Sequence, residues 1–245
     1  MPLPEGVALR KIDWVGVLTI GSIHLLAMLA FLPWLFNWSS LWVMVVGVFV
    51  FGYLGINLFY HRLLTHKGLV CPKWLEHVFA LLAVCCVQDT PARWVEIHRW
   101  HHIKSDESDD PHTPLAGLAW GHVGWVFLKN DQIDRYTIYT RFAKDILRDP
   151  FYKRLETTAL YPLIIAASWG MFFSVGFAIE LLWGGSFVQA IQFGLSLLIW
   201  GVFVRTVVVW HVTWSVNSLA HVMGYRNYAT SDESRNNWFV ALITL

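Results

Sequence analysis

Two stretches of the chain run without a charged residue for longer than a bilayer is thick: Trp14–Phe36, with 23 residues, and Ser40–Tyr60, with 21. At ~1.5 Å of rise per residue, either one as a helix crosses a hydrocarbon core of ~30 Å. Two later blocks do the same: Ala159–Trp183, interrupted only by Glu180, and Ser186–Val204, which ends at Arg205. Inside a bilayer each backbone amide must find its partner within its own segment, so such blocks fold as helices. The connections at Asn37, Trp38 and Ser39 and at Gly184 and Gly185 are short enough to make two tight hairpins. Between them, Trp74–Val87 is only 14 residues long and contains Glu76 and His77, which predicts an interfacial helix that does not cross. The composition agrees, with 14% charged residues against about a quarter in soluble domains.

The net charge of +1 conceals a separation along the chain. Thirteen lysines and arginines, from Arg62 through Arg135 to Arg154, lie between the second and third blocks, and the two hairpin turns have none. The positive-inside rule therefore assigns that segment, both termini and everything after Arg205 to the cytoplasm. No basic run or domain-scale excess of basic residues supports a nucleic-acid partner. Cys71, Cys85 and Cys86 have no CxxC spacing, so neither a disulfide framework nor a thiolate metal site is indicated. The N-terminus has no basic run or small-residue cleavage pattern, so the first block is expected to be retained.

Most of the eleven histidines fall outside the apolar blocks. His61 and His66 stand in YHRLLTH at the end of the second block, His98, His101 and His102 in HRWHH, and His221 ends HVTWSVNSLAH beyond the fourth. By the topology above, all three sets share one side of the membrane. Positions i, i+3 and i+4 of a helix share a face, so HRWHH projects three imidazoles in one direction, and Asn217 and His221 are likewise four apart. His61 and His66, five apart, lie further round an α-helical cylinder and are expected to reach two different metals. Three imidazoles on one face repel each other if charged and pack no better than leucine, which favours metal binding. His24, His77 and His122 read as amphipathic interface anchors. Imidazole without thiolate suits iron, copper or nickel better than structural zinc. Haem is disfavoured, because only His24 lies within a span.

These residues resemble the membrane fatty acyl desaturases, most closely the delta-9 type acting on acyl-CoA or acyl-lipid. The match runs from about Phe59 to the C-terminus, through FYHRLLTHKGL, CPKWLEH, QDTPARWVEIHRWHHIKSDESDDPHTPLAGLAWGHVGW, HVTWSVNSLAH and GYRNY. The resemblance implies an all-α membrane protein, with four transmembrane helices in two hairpins under a cytoplasmic histidine-rich helical cap. The whole chain, 1–245, would form one desaturase domain, with spans near 14–36, 40–60, 159–183 and 186–204 and the cap from 61–158 and 205–245. It implies two non-haem iron ions held by His61, His66, His98, His101, His102 and His221, with Asn217 reaching iron through water. Gln88, Trp94 and Thr213 match positions lining the bend of the acyl tunnel. The family also carries an HxxHH box soon after the stretch that here reads NNWFVALITL, so the site is expected to be incomplete in residues 1–245. Alone, these residues are expected to insert in a membrane but to hold substoichiometric iron and no activity.

In the acidic run, Asp106, Glu107 and Asp109 read as solvated loop charges. Asp110 is better placed to orient a ligating imidazole, and His112 stands beside it in that supporting role. Desaturation consumes O2 and two electrons. No haem-binding domain is visible in the chain, so a separate donor, cytochrome b5 or ferredoxin, is expected. Hydroxylation by the same iron chemistry and a non-catalytic metal-binding role are the alternatives.

Overall fold

The computed structural model describes residues 1–133 and 141–244, and Arg135 lies outside the described residues. A single capping residue opens the first long helix: the Asp13 carboxylate accepts from the amides of Val15 and Gly16, and α1 then runs Trp14–Ala27, tightening to 3₁₀ turns through Phe31. Asn37 caps α2, which starts at Trp38. After Gly47 that helix widens into a π-helix over Val48–Thr65. Two helices follow, α3 (Lys73–Val84) and α4 (Pro91–Lys104), the latter with Thr90 as cap and proline in its first turn. Short pieces come next: α5 (Leu118–His122), α6 (Lys144–Leu147) and α7 (Pro150–Thr157). The second hairpin comprises α8 (Leu160–Leu182) and α9 (Phe187–Leu198), which continues through a π segment into α10 (Arg205–Val222). A final helix, α11, covers Trp238–Thr244. A short antiparallel ribbon ties β1 (Val7–Ile12) to β2 (Leu128–Asn130).

Among the described residues four helices are long and apolar enough to cross a membrane: Trp14–Phe31, Trp38–Thr65, Leu160–Leu182 and Phe187–Val222. α3, with 12 residues, is too short. Their outer faces are those of a protein solvated by lipid, with Val15 77%, Phe31 85% and Leu182 83% exposed. Trp38 and Trp183, exposed at the two hairpin turns, suit a membrane–water boundary.

Polar and small residues fix the helices against one another. Beside the first turn, Ser196 Oγ donates to the Leu35 carbonyl at 2.6 Å and accepts from Asn37 Nδ2 at 2.7 Å. Between α8 and α9 the backbones meet at Gly194, where a Cβ would come within 2.8 Å of the Phe173 carbonyl oxygen. Arg205 does not stop the fourth helix. It is fully buried inside it, its guanidinium 4.0 Å above the Phe51 ring and donating to the Cys85 carbonyl at 2.8 Å. His77 is no free interface anchor either, because its Nε2 pairs with Asp149 at 3.0 Å.

Candidate metal centre and acyl cavity

The π segment that continues α2 sets where its last side chains point. On an α-helix, residues five apart point about 140° away from each other. In the π turn that ends α2, the His66 amide instead donates to the His61 carbonyl at 3.1 Å, and the Thr65 hydroxyl to the Tyr60 carbonyl at 2.8 Å. The wider turn brings the rings of His61 and His66 to 4.6 Å, centroid to centroid. They converge on one point rather than serving two separate places as the α-helical spacing predicts.

That point is shared with α4. His61, His66, His98 and His102 each offer a ring nitrogen, and all four nitrogens lie within 4.8 Å of one another. The Nε2 atoms of His98 and His102 are 3.0 Å apart. His101 turns elsewhere, because positions 101 and 102 differ by about 100° on the helix. It belongs to a second, buried group with Asp110 and His112. Both Asp110 oxygens lie 3.0 Å from His101 Nδ1, and the His101 ring is 4.2 Å from that of His112 and 5.5 Å from that of His221. The HRWHH face thus divides its three rings between two clusters.

Asp106 departs most from the sequence reading. Its side chain is 3% exposed, and its Oδ2 accepts from His221 Nδ1 at 2.9 Å and from the Glu233 amide at 2.7 Å. It orients His221 as Asp110 orients His101. In sequence it is indistinguishable from its solvated neighbours, since its partner is 115 positions away. Arg99 was likewise not apparent. It donates to the Leu64 and Phe142 carbonyls and, by two nitrogens, to Asp145, which locks α4 against the end of α2.

The electrostatics favour neutral rings. Burial, then the neighbouring rings of His102 and His61, pushes His98 well below its ordinary value. Burial and His101 bring His102 to about 4, and burial and His101 bring His112 to about 3. Burial also lowers His66, with Arg99 adding to it. Each imidazole therefore keeps a lone pair at neutral pH. For Asp106 and Asp110 burial works upward, but the hydrogen bonds from His221 and His101 outweigh it and hold both below the usual carboxylate range.

Against the first cluster lies a cavity of about 450 Å³, lined by His61, His98, Gln88, Trp94, Thr213 and Asn217 among others. Gln88 Nε2 donates to Thr213 Oγ1 at 3.0 Å, and the Trp94 indole packs tilted against the His98 ring, 4.7 Å between centroids. Gln88 is held between two residues with left-handed backbone, Val87 at φ 54° and Asp89 at φ 77°. For a β-branched valine that conformation is strained, as is common where a side chain must be aimed. Of the residues expected from the sequence, His61, His66, His98 and His102 thus form one group, His101, Asp110 and His112 another with the His221 ring beside it, and Gln88, Trp94, Thr213 and Asn217 line the cavity.

The chain is similar in sequence to known desaturases. The chain is 37% identical over 242 residues to the sn-2 palmitoyl-lipid 9-desaturase of Nostoc sp. (strain 36), covering 98% of this chain and 78% of that one. It is 36% identical over 233 residues to the sn-1 stearoyl-lipid 9-desaturase of Anabaena variabilis, covering 95% and 78%. With the acyl-CoA C20 Delta5-desaturase of Anemone leveillei it shares 34% identity over 244 residues, 96% of this chain and 71% of that one. The sequence profile of the fatty acid desaturases matches residues 36–245, and the chain belongs to that family.

Proposed function

We propose that this protein inserts a cis double bond at the delta-9 position of a saturated acyl chain carried on a glycerolipid, using a di-iron centre. The observation that carries the reading is the cavity wall, where two histidines of a four-imidazole cluster adjoin the Gln88–Thr213 pair and Trp94. Relatives named as acyl-lipid 9-desaturases support the lipid carrier and the position, although one relative is named for acyl-CoA. The donor set fits iron: imidazoles, two of them backed by carboxylates, and no thiolate in either group. His61, His66, His98 and His102 would hold one ion, and His101 and His221, with Asn217 through water, the other.

With iron bound, the centre supplies the O2-dependent oxidation in which CH2–CH2 becomes CH=CH and O2, two electrons and two protons end as two waters. The protein's own part is to hold and align. Trp94 forms a rigid wall beside the reacting carbons, and Gln88 and Thr213, bonded to each other, fix the path of the chain at its bend. The indole and the apolar lining from Ile20, Val126 and Trp210 exclude water from the acyl segment. We place the histidine-bearing end in the cytoplasm on the strength of the basic residues there, with electrons arriving from cytochrome b5 or ferredoxin.

The test is expression of the whole reading frame in a host without its own acyl desaturase, followed by mass spectrometry of the fatty acids by lipid class. A product lighter by two hydrogens, unsaturated at carbon 9 and found on glycerolipid, is expected. A product heavier by one oxygen would replace desaturation with hydroxylation, and iron-loaded protein yielding no product would refute both.

A further inference from the structure

Three histidines away from both clusters form a chain of their own. His24 on α1 faces His211 on α10, and His211 faces His122 at the end of α5. A neutral imidazole has one N–H and one lone pair, so its partners decide which nitrogen carries the proton. His24 Nδ1 lies 2.8 Å from the Ile20 carbonyl, which can only accept, so Nδ1 carries the hydrogen and Nε2 is a lone pair. At the other end the Ser218 hydroxyl donates to the Trp214 carbonyl at 2.8 Å, so its oxygen accepts from His122 Nδ1 at 2.9 Å. His122 Nε2 is then an acceptor, and His211 Nδ1, 2.9 Å away, donates to it. His211 Nε2 is left with its lone pair, pointed at the lone pair of His24 Nε2 at 3.2 Å.

Two lone pairs held face to face at that distance repel unless a cation lies on both. We propose that His24 and His211 form a binding site for an imidazole-preferring divalent transition-metal ion of the zinc, copper or nickel class, joining the first spanning helix to the last. Metal–imidazole bonds of ~2.0–2.1 Å at near-tetrahedral or right angles place two nitrogens about 3 Å apart. The His98–His102 pair in the iron-type cluster shows nearly the same separation, 3.0 Å. Each ring of the new pair also spends its other N–H on a fixed acceptor, Ile20 carbonyl or His122, which is how metal-bound imidazoles are oriented. With its Nδ1 hydrogen given to Ser218, the His122 ring behind His211 has Nε2 open to accept. The Trp210 and Trp214 rings pack beside the pair at 5.8 and 5.4 Å and hold it in place. His211 is exposed, which leaves room at the pair for the ion's further ligands.

The experiment titrates Zn²⁺ into the iron-loaded protein in lipid nanodiscs, reading bound zinc and iron by plasma mass spectrometry and thermal stability by scanning calorimetry. The wild-type protein should take up one equivalent of zinc beyond its iron and melt at higher temperature. His24→Gln and His211→Gln, made separately in case one fails to fold, should each lose the zinc and the shift while keeping their iron. His122→Ala should weaken zinc binding by roughly tenfold or more, as loss of an outer partner does. Unchanged zinc uptake in both glutamine variants would overturn the site. So would stabilisation by mild acid alone, lost in the same variants with no zinc bound, since the pair would then be sharing a proton.

Discussion

The two imidazole clusters of this protein are supported in opposite ways. The group of His101, Asp110 and His112 is buried, and His101, like His221 beside it, is backed by a carboxylate. The group of His61, His66, His98 and His102 has two exposed rings, and no carboxylate contact to it appears among the described residues. It is shaped from behind, by a π turn and by the Arg99 clamp between α4 and the end of α2. Hydrogen-bonded carboxylates orient ligands one at a time, whereas helix register positions a whole set. The buried cluster is therefore preformed residue by residue, and the more exposed one is set as a unit by the register of two helices.

The largest effect expected from this contrast is on iron itself. His98→Ala should abolish desaturation and remove iron from the exposed cluster, leaving membrane insertion intact. His101→Ala should do the same to the buried one. Elemental analysis and product profiling of the two variants would break the comparison if either variant lost both ions together or kept both.

Next in size are the supports. Asp110→Asn and Asp106→Asn should each lower iron affinity roughly 10- to 100-fold while the helices stay folded. A competition titration with a chelator measures this, and equal affinity in wild type and variants would show the carboxylates to be packing only. Trp94→Ala is expected to blur the position of the double bond while bound iron changes little. Regiochemistry as sharp as in the wild type would leave the indole no part in fixing the bend.

The smallest effect concerns the clamp. Asp145 is raised by burial but held well below its ordinary value by Arg99 and Lys67. Its lowered folded-state value means that the contribution is present above the unfolded value of ~3.9 and fades as pH falls below it. Asp145→Asn should therefore melt earlier than wild type at neutral pH, with the two curves drawing together as the pH falls below about 4. A gap that persists undiminished into strong acid would assign the effect to something other than this charge.

Much of the fold could be read directly, because a charge-free block declares itself whatever it packs against. The spans follow from counting, and the imidazole-rich run of α4 from its spacing, but not the division of its rings between two clusters. What escaped depended on neighbours distant in sequence or on an assumed period. Asp106 sits in an acidic run and looks solvated until His221 is folded over it. His61 and His66 diverge on a helix of ordinary pitch, and nothing in YHRLLTH announces the wider turn. His24 and His122 each look like lone interface residues, and become a chain only once His211 lies between them.

The π turn at the end of α2 also bears on how this site tolerates changes in chain length. A helix bonded five residues back differs from one bonded four back by a single inserted residue, so the two are interconvertible by deletion. Removing one residue between His61 and His66 would leave the histidines four apart, and an ordinary α turn would then aim both rings the same way. What the cluster requires is agreement between spacing and pitch, and a shorter box on a narrower helix satisfies that requirement as well as a longer box on a wider one.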